Sequence, residues 1–174
     1  MTHFASYWTI SILLALGFAF GSPDYSRAND VEAGPVTNLP LPRFVSLRSS
    51  KINVRRGPGL DYRKDWVFRR TGLPVRVVDE YGDWRRIVDM DDAGGWVYHA
   101  MITGRRTVLI TGDDVALRER ASDSAAAVAQ AERGVVARLK SCVPDWCEVE
   151  AEGHRGWVRK AGIWGVDEDE VLDR

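Results

Sequence analysis

The chain has 174 residues, of which 45% are apolar and 28% are charged, and its formal net charge is −1 at neutral pH. This composition is that of a folded protein, and the length corresponds to one ordinary domain or two small ones. The nearly neutral charge argues against a protein whose main partner is nucleic acid.

An apolar segment lies near the start of the chain, from Tyr7 to Phe20. It is shorter than the ~20 residues that a membrane-spanning helix needs, and small and turn-forming residues follow it, with Ser26-Arg27-Ala28 as a cleavage site. We therefore predict that residues 1–28 are a signal peptide, so that the mature protein is periplasmic or secreted and has no stable membrane span. The alternative is an uncleaved anchor, because no Lys or Arg precedes the apolar segment. Residues 29–42 are rich in proline and turn formers and are predicted to be a flexible spacer.

The remainder of the chain contains an internal repeat. Segments of similar sequence recur in the same order, at spacings of 63, 62 and 61 residues. The three anchor pairs are Val45 and Val108, Gly72 and Gly134, and Trp96 and Trp157. Matching order with slips of one residue indicates a duplicated unit of about sixty residues. The sequence therefore predicts two tandem domains, at residues 43–105 and 106–166, followed by an acidic tail at residues 167–174 whose charges are expected to be solvated.

Each copy is predicted to be built of strands. The segment LPVRVV alternates apolar and polar residues, and WRRIV and WVY follow it after turn-forming residues. Short strands joined by tight turns predict an all-β domain, either a small barrel or a sandwich. Residues 125–134 of the second copy have the propensity for a helix of two turns. Their counterpart in the first copy has no helical stripe, so we predict a loop and a strand there.

Both copies contain a tryptophan followed about a dozen residues later by Gly-Trp-Val. The four tryptophans are Trp84, Trp96, Trp146 and Trp157. A domain of about sixty residues buries only about 60% of the surface of its unfolded chain, so we expect these side chains first of all to fill the interior. The glycine before Trp96 and Trp157 would permit close approach of another backbone where the sheet bends.

The two cysteines, Cys142 and Cys147, flank a Pro-Asp turn between two predicted strands. In an exported protein this arrangement predicts a disulfide that closes the hairpin. The alternative is a reactive Cys147 assisted by His154, as in a Cys-His hydrolase, but no signature of such an enzyme accompanies the pair. No metal site is predicted, because the histidines and cysteines have no recognised ligand spacing. No cofactor is expected either.

The segments INVRRGPGLDY, GLPVRVVDEYGDWRRI and GGWVYHAMITG of the first copy resemble the bacterial SH3-like domain family. The marks of that family fall on Asn53 to Pro58, on Trp84 and on Gly95 to Ile102. The second copy is degenerate, since RERASD replaces the Gly-Pro turn. The resemblance implies two five-stranded barrels used as binding modules, often in exported bacterial proteins that contact the cell wall, and it transfers no catalytic residue.

Charge is divided unevenly between the copies. Residues 43–105 contain 13 Lys or Arg and 8 Asp or Glu, whereas residues 106–174 contain 10 and 14. Two interpretations remain open. Basic and aromatic side chains of the first copy would hold an anionic or carboxylate-bearing polymer, or the basic copy would dock on the acidic one.

The sequence therefore predicts a non-enzymatic binding or adaptor protein that engages cell-wall material, either peptidoglycan peptide or glycan. The alternative is a periplasmic scaffold that binds another envelope protein. Export and the nearly neutral charge argue against nucleic acid as a partner. The candidate ligand contacts lie near the variable turns of the first copy and are Arg55, Tyr62, Trp84, Arg85 and Tyr98.

Overall fold

The computed structural model describes residues 32–173, and the predicted signal peptide lies outside this range. The described part consists of strands and two 3-10 helices, in agreement with the all-β prediction, and none of its helices is long and apolar enough to span a membrane. The strands are β1 (Glu32–Ala33), β2 (Pro40–Leu41), β3 (Arg43–Leu47), β4 (Ile52–Arg55), β5 (Lys64–Phe68), β6 (Pro74–Tyr81), β7 (Trp84–Val88), β8 (Gly94–Tyr98), β9 (Ile102–Thr103), β10 (Thr107–Ile110), β11 (Val115–Arg118), β12 (Ala127–Ala131), β13 (Val136–Cys142), β14 (Trp146–Ala151), β15 (His154–Arg159) and β16 (Ile163–Trp164). The 3-10 helices are His99–Met101 and Lys160–Gly162.

The two copies have the same topology. The first is a seven-stranded antiparallel sheet in the order β5-β4-β8-β7-β6-β3-β9, and the second repeats it as β12-β11-β15-β14-β13-β10-β16. The strands correspond one to one, and β11 begins at Val115, 63 residues after β4 begins at Ile52. The predicted duplication is therefore confirmed. Each copy has seven strands where the sequence predicts five, because the chain after β4 returns as the paired strand β5 and a two-residue strand, β9, closes on β3. The segment predicted as a loop and a strand contains β12.

Each copy encloses its own aliphatic core. The core of the first copy consists of Val45, Leu47, Ile52, Val54, Val75, Val77, Ile87, Val97 and Ile102. The expectation that the tryptophans fill the interior is wrong for three of the four, since Trp84, Trp96 and Trp157 are only half-buried. Successive side chains of a strand point to opposite faces. In β7 and β8 the inward positions are taken by Ile87 and Val97, so the tryptophans lie on the outer face.

The glycine before each Gly-Trp-Val tryptophan has the predicted role. A Cβ atom on Gly95 would lie 2.6 Å from the carbonyl oxygen of Arg55, and one on Gly156 would lie 2.8 Å from the Cβ of Leu117. Any side chain at these positions would force the crossing strands apart. The close crossing of β8 over β4 and of β15 over β11 therefore requires glycine.

Corresponding residue pairs in the central hairpins of the two copies are joined by different interactions. Glu80 pairs with Arg85 across β6 and β7, and Cys142 pairs with Cys147 across β13 and β14, 62 residues later in each case. In the first copy the two side chains form a buried ion pair, whereas in the second the sulfurs are bonded at 2.02 Å. The predicted disulfide is confirmed, and the alternative of a free nucleophilic Cys147 is excluded.

Removing the disulfide by Cys142→Ser and Cys147→Ser should lower the free energy of unfolding by about 2 kcal/mol, since the bond closes only a short loop. Urea denaturation of the double variant and of the oxidised wild type would measure the difference. Mass spectrometry of the unreduced protein should find it two hydrogens lighter than the reduced form. Equal unfolding midpoints would contradict the stabilising role of the bond.

The two segments outside the repeats are anchored to the domains by contacts that the sequence does not predict. Residues 32–42, predicted to be a flexible spacer, form the hairpin β1-β2, and the backbone N–H groups of Val36 and Thr37 donate to the Glu80 carboxylate. In the acidic tail, Glu170 accepts two hydrogen bonds from Arg106, at 2.7 and 2.9 Å. The backbone of Leu172 pairs with that of Cys142. Asp167, Glu168, Asp169 and Asp173 are exposed, as expected of a solvated charge run, whereas Glu170 is partly buried because its partner lies far away in sequence.

The two copies contact each other through aromatic rings, hydroxyl groups and one ion pair among the described residues. Phe44 packs edge-on against Trp164, with 5.1 Å between the ring centroids. The Ser46 and Thr107 hydroxyls lie 2.6 Å apart, and Arg76 is 2.8 Å from Asp167. A single ion pair across the contact leaves most of the positive charge of the first copy unneutralised by the second.

Candidate functional site

An open groove of about 540 Å³ lies on the outer face of the first copy. It is lined by Leu60 from the β4-β5 loop, Asp83 from the β6-β7 turn, Trp84 at the start of β7 and Tyr98 at the end of β8. Trp84 and Tyr98 are direct neighbours across the two strands, and their rings meet edge-on at 5.8 Å between centroids. Leu60 is 75% exposed and Tyr98 is 41% exposed, so the apolar lining is open to solvent.

Arg55 shapes the β4-β5 loop that carries Leu60. Its Nη1 atom donates to the carbonyl oxygens of Leu60 and Tyr62, at 2.7 and 2.6 Å. The Tyr62 ring lies against Gly57, where a Cβ atom would be only 2.4 Å from the ring. This explains the Arg-x-Gly pattern of the first copy: the arginine holds the loop carbonyls and the glycine leaves room for the ring. Arg55 is therefore a residue that positions the loop.

Arg85 lies on the opposite face from the groove. Its side chain is buried, its Nη1 atom donates to the carbonyl oxygens of Gly82 and Trp84, and its Nε atom lies 3.4 Å from Glu80. These contacts occupy the guanidinium inside the first copy and leave none of it facing the groove.

Of the five candidate residues from the sequence, the structure brings Trp84 and Tyr98 together and places Arg55 at the end of β4, bonded to the adjoining loop that contains Tyr62. Sequence reasoning missed Leu60 and Asp83. Leu60 had a usable signal, because a large apolar residue directly after a Gly-Pro-Gly segment in a loop has no core to enter. Asp83 had none, because an acidic residue in a tight turn is ordinary.

The positive charge of the first copy is concentrated on exposed side chains without an ion pair among the described residues. They are Arg48, Lys51, Lys64, Arg69, Arg70, Arg86 and Arg105. By contrast, Arg63 and Arg56 are engaged by Asp65, and the hydrogen bond from Arg63, followed by that from Arg56, lowers the pKa of this carboxyl group. Arg86 follows Trp84 by two residues on the outer face of β7, so one unpaired cation lies near the groove.

In the second copy, a side chain of the protein itself covers the tryptophan at the corresponding position. Trp146 pairs with Arg159 across β14 and β15, as Trp84 pairs with Tyr98 in the first copy. The Arg159 guanidinium lies over the Trp146 ring, 4.6 Å from its centroid, and forms an ion pair with Asp123. Trp146 is only 7% exposed as a result. The hydrogen bond from Arg159 lowers the pKa of Asp123.

No cluster of three or more potential metal ligands is present among residues 32–173. The groove is lined by two aromatic rings, an aliphatic side chain and one carboxylate. Such a set binds by packing, stacking and charge.

Comparison with solved structures finds similarity to the structure of NlpC2 from Trichomonas vaginalis, with 9% sequence identity and a TM-score of 0.33. The match covers 72% of this chain and half of the length of that structure. No curated protein sequence matches the chain. The family model of the bacterial SH3 domain matches twice, at residues 48–104 and 111–165, and each match covers a seven-stranded sheet except for its first strand, β3 or β10. Since these matches span well over half of its length, the chain belongs to the bacterial SH3 domain family, of which it contains two tandem copies.

Proposed function

We propose that this chain is an exported, non-enzymatic binding protein whose first SH3 copy captures cell-wall peptide in the aromatic groove. Bacterial SH3 domains are binding modules, often for cell-wall material. The observation that carries the proposal is the difference between the copies. The groove is open in the first copy, whereas an arginine of the chain itself covers the equivalent tryptophan in the second.

The chemistry of the groove suits a short extended peptide. Aromatic side chains bury a large apolar area on binding, which is why they are enriched among the residues that contribute most to binding. Trp84, Tyr98 and Leu60 supply that area. The unpaired guanidinium of Arg86, on the same face of β7 as Trp84, offers a partner for the carboxylates of a peptide stem.

A second candidate function is a periplasmic scaffold that binds another envelope protein. The observation that favours it is the edge strand β5, which pairs with β4 on one side and, within residues 32–173, with no strand on the other. Trp66 on this strand is 38% exposed and packs edge-on against Phe68, at 5.5 Å between ring centroids. An exposed edge strand with aromatic side chains is suited to pairing with an extended segment of a partner protein.

Trp84→Ala should weaken capture of the protein by purified sacculi by on the order of tenfold, because an exposed aromatic anchor commonly contributes 1 kcal/mol or more to binding. Sedimentation of the exported protein with sacculi over a range of concentrations would measure it. Trp66→Ala is the matched control, since it removes an exposed tryptophan of the same copy outside the groove, and it should bind as the wild type does.

If the wild type is not enriched on sacculi over an unrelated protein of equal charge, the cell-wall proposal fails. Cross-linking in intact cells then tests the scaffold, which should give one discrete partner band that depends on Trp66. Circular dichroism of each variant would verify that the fold is retained.

A further inference from the structure

We propose that the groove of the first copy recognises a positively charged group, namely a side-chain amine of the bound peptide, which stacks on Trp84 and pairs with Asp83. The identity of the polymer rests on the proposed function above. The charge of the group that is recognised rests on a separate observation, the arrangement of the second copy.

The second copy contains, among its own side chains, the arrangement that we propose for the ligand complex of the first copy. Its framework tryptophan, Trp146, has a cation above the ring at 4.6 Å, and that cation is held by the Asp123 carboxylate. The hydrogen bond that Arg159 donates to Asp123 raises the pKa of Arg159, and the negative charges of Asp123 and Asp145 add to this rise. A tryptophan face flanked by carboxylates is therefore the setting in which this fold holds a positive charge.

The first copy retains the framework and lacks the internal cation. Tyr98 occupies the register position of Arg159, and no cation among residues 32–173 lies over the Trp84 ring. The acidic residue before the tryptophan is kept. The carbonyl oxygen of Asp83 accepts the N–H of His99 at 2.8 Å, just as that of Asp145 accepts the N–H of Lys160 at 3.0 Å.

The Asp83 carboxylate is available to a ligand. It forms no ion pair and no side-chain hydrogen bond with any residue of the range 32–173, and it lines the groove beside the Trp84 ring. Tyr98 supplies a second ring at 5.8 Å from the first, and Leu60 supplies an apolar wall at the position where the second copy has Asp123. Two rings, an apolar wall and one carboxylate match an ammonium group at the end of an aliphatic stem.

The test compares two probes that differ at the Nε atom, the positively charged Nα-acetyl-lysine methylamide and its neutral Nε-acetylated form. The protein is purified after export from cells that express the full chain, and the indole N–H resonance of Trp84 is followed by NMR. The charged probe should bind at least about fivefold more tightly than the neutral one, because a cation on an exposed aromatic face contributes about 1 kcal/mol. Equal binding of the two probes, or binding of neither, would overturn the proposal. Tighter binding of an arginine probe than of the lysine probe would overturn the assignment to an amine.

Two variants add independent checks. Asp83→Asn should reduce the difference between the probes, whereas Asp91→Asn, which changes an exposed aspartate of the β7-β8 turn, should preserve it. Leu60→Asp combined with Tyr98→Arg would install the closed arrangement of the second copy and should abolish binding of the charged probe. Binding that persists in this double variant would count against the proposal.

Experiments with sacculi distinguish a failure of this inference from a failure of the proposed function. If acetylation of the free amines of sacculi leaves capture unchanged, the inference fails while the cell-wall proposal stands. If the charged probe binds and sacculi do not, the chemistry of the groove is as proposed and the cell-wall function fails.

Discussion

Glu80→Gln should lower the free energy of unfolding by about 3–5 kcal/mol, which is typical of removing one partner from a buried ion pair. Glu80 has no solvent-exposed side-chain area, and Arg43 lies 2.7 Å and Arg85 3.4 Å from its Oε1 atom. The same carboxylate accepts hydrogen bonds from the Thr37 hydroxyl and from the N–H groups of Val36 and Thr37. An amide would direct its own donors at these groups and leave the buried Arg85 without a counter-charge.

The same carboxylate makes stability dependent on pH. Burial alone would raise the pKa of Glu80, but the hydrogen bonds from Thr37, Arg43 and the backbone of Val36 outweigh it and lower the pKa from 4.5 to about 2. The folded state therefore binds this proton less readily than the unfolded chain does. The stabilisation, up to about 3 kcal/mol, is fully present above pH 4.5 and is lost as the pH falls from there toward 2.

Urea denaturation at pH 7 and at pH 3 would measure both the destabilisation by Glu80→Gln and the pH dependence of stability. The wild type should lose more stability than Glu80→Gln between these two values, because the variant lacks this titrating group. Asp65→Asn is the control, since Asp65 is an ion-paired carboxylate at a more exposed position of the same copy, and its effect at pH 7 should be within about 1 kcal/mol. A Glu80→Gln variant as stable as Asp65→Asn would show that Glu80 does not hold the N-terminal hairpin.

The repeat was visible in the sequence because it preserves spacing, and spacing fixes strand register. The internal slips fall in turns, so β4 and β11, or β7 and β14, can be aligned from the sequence alone. The disulfide was predictable for a similar reason, since two cysteines flanking a turn have one obvious partner each. Glu80 and Arg85 occupy the same pair of positions, yet five charged residues in DEYGDWRR look like an ordinary solvated hairpin. Only burial distinguishes this ion pair from the others.

The wrong placements of residues in β7 share one cause, which is the alternation of side chains between the two faces of a strand. Trp84, Arg85 and Arg86 are consecutive, and the fold buries the middle one. Hydrophobicity alone favours the opposite assignment, with the tryptophan inside and the arginines outside. It misses the ion pair that allows Arg85 to be buried, because the partner of Arg85 lies on another strand. The anchoring of the N-terminal hairpin and of Glu170 in the acidic tail was missed because it too depends on distant partners. Their contacts, to Glu80 and to Arg106, join residues 43 or more positions apart.

Phe44→Ala should uncouple the two copies and lower the stability of the whole by about 3–5 kcal/mol, the usual cost of truncating a buried phenylalanine. Phe44 is 6% exposed but belongs to neither aliphatic core. Its ring meets Trp164 of the second copy, and the Arg76 guanidinium lies over it at 4.4 Å from the centroid. Since each copy has its own core, loss of this contact should leave two domains that unfold separately.

Calorimetry should therefore give one transition for the wild type and two for Phe44→Ala. Tyr81→Ala, which truncates a 65% exposed aromatic residue of the same copy, is the control and should keep a single transition. A single unshifted transition in Phe44→Ala would mean that the hydroxyl contact of Ser46 with Thr107 and the Arg76–Asp167 ion pair suffice to couple the copies. Two transitions would show instead that the aromatic contact is what makes a tandem repeat behave as one folding unit, because hydroxyl groups and an exposed ion pair contribute little once water competes for them.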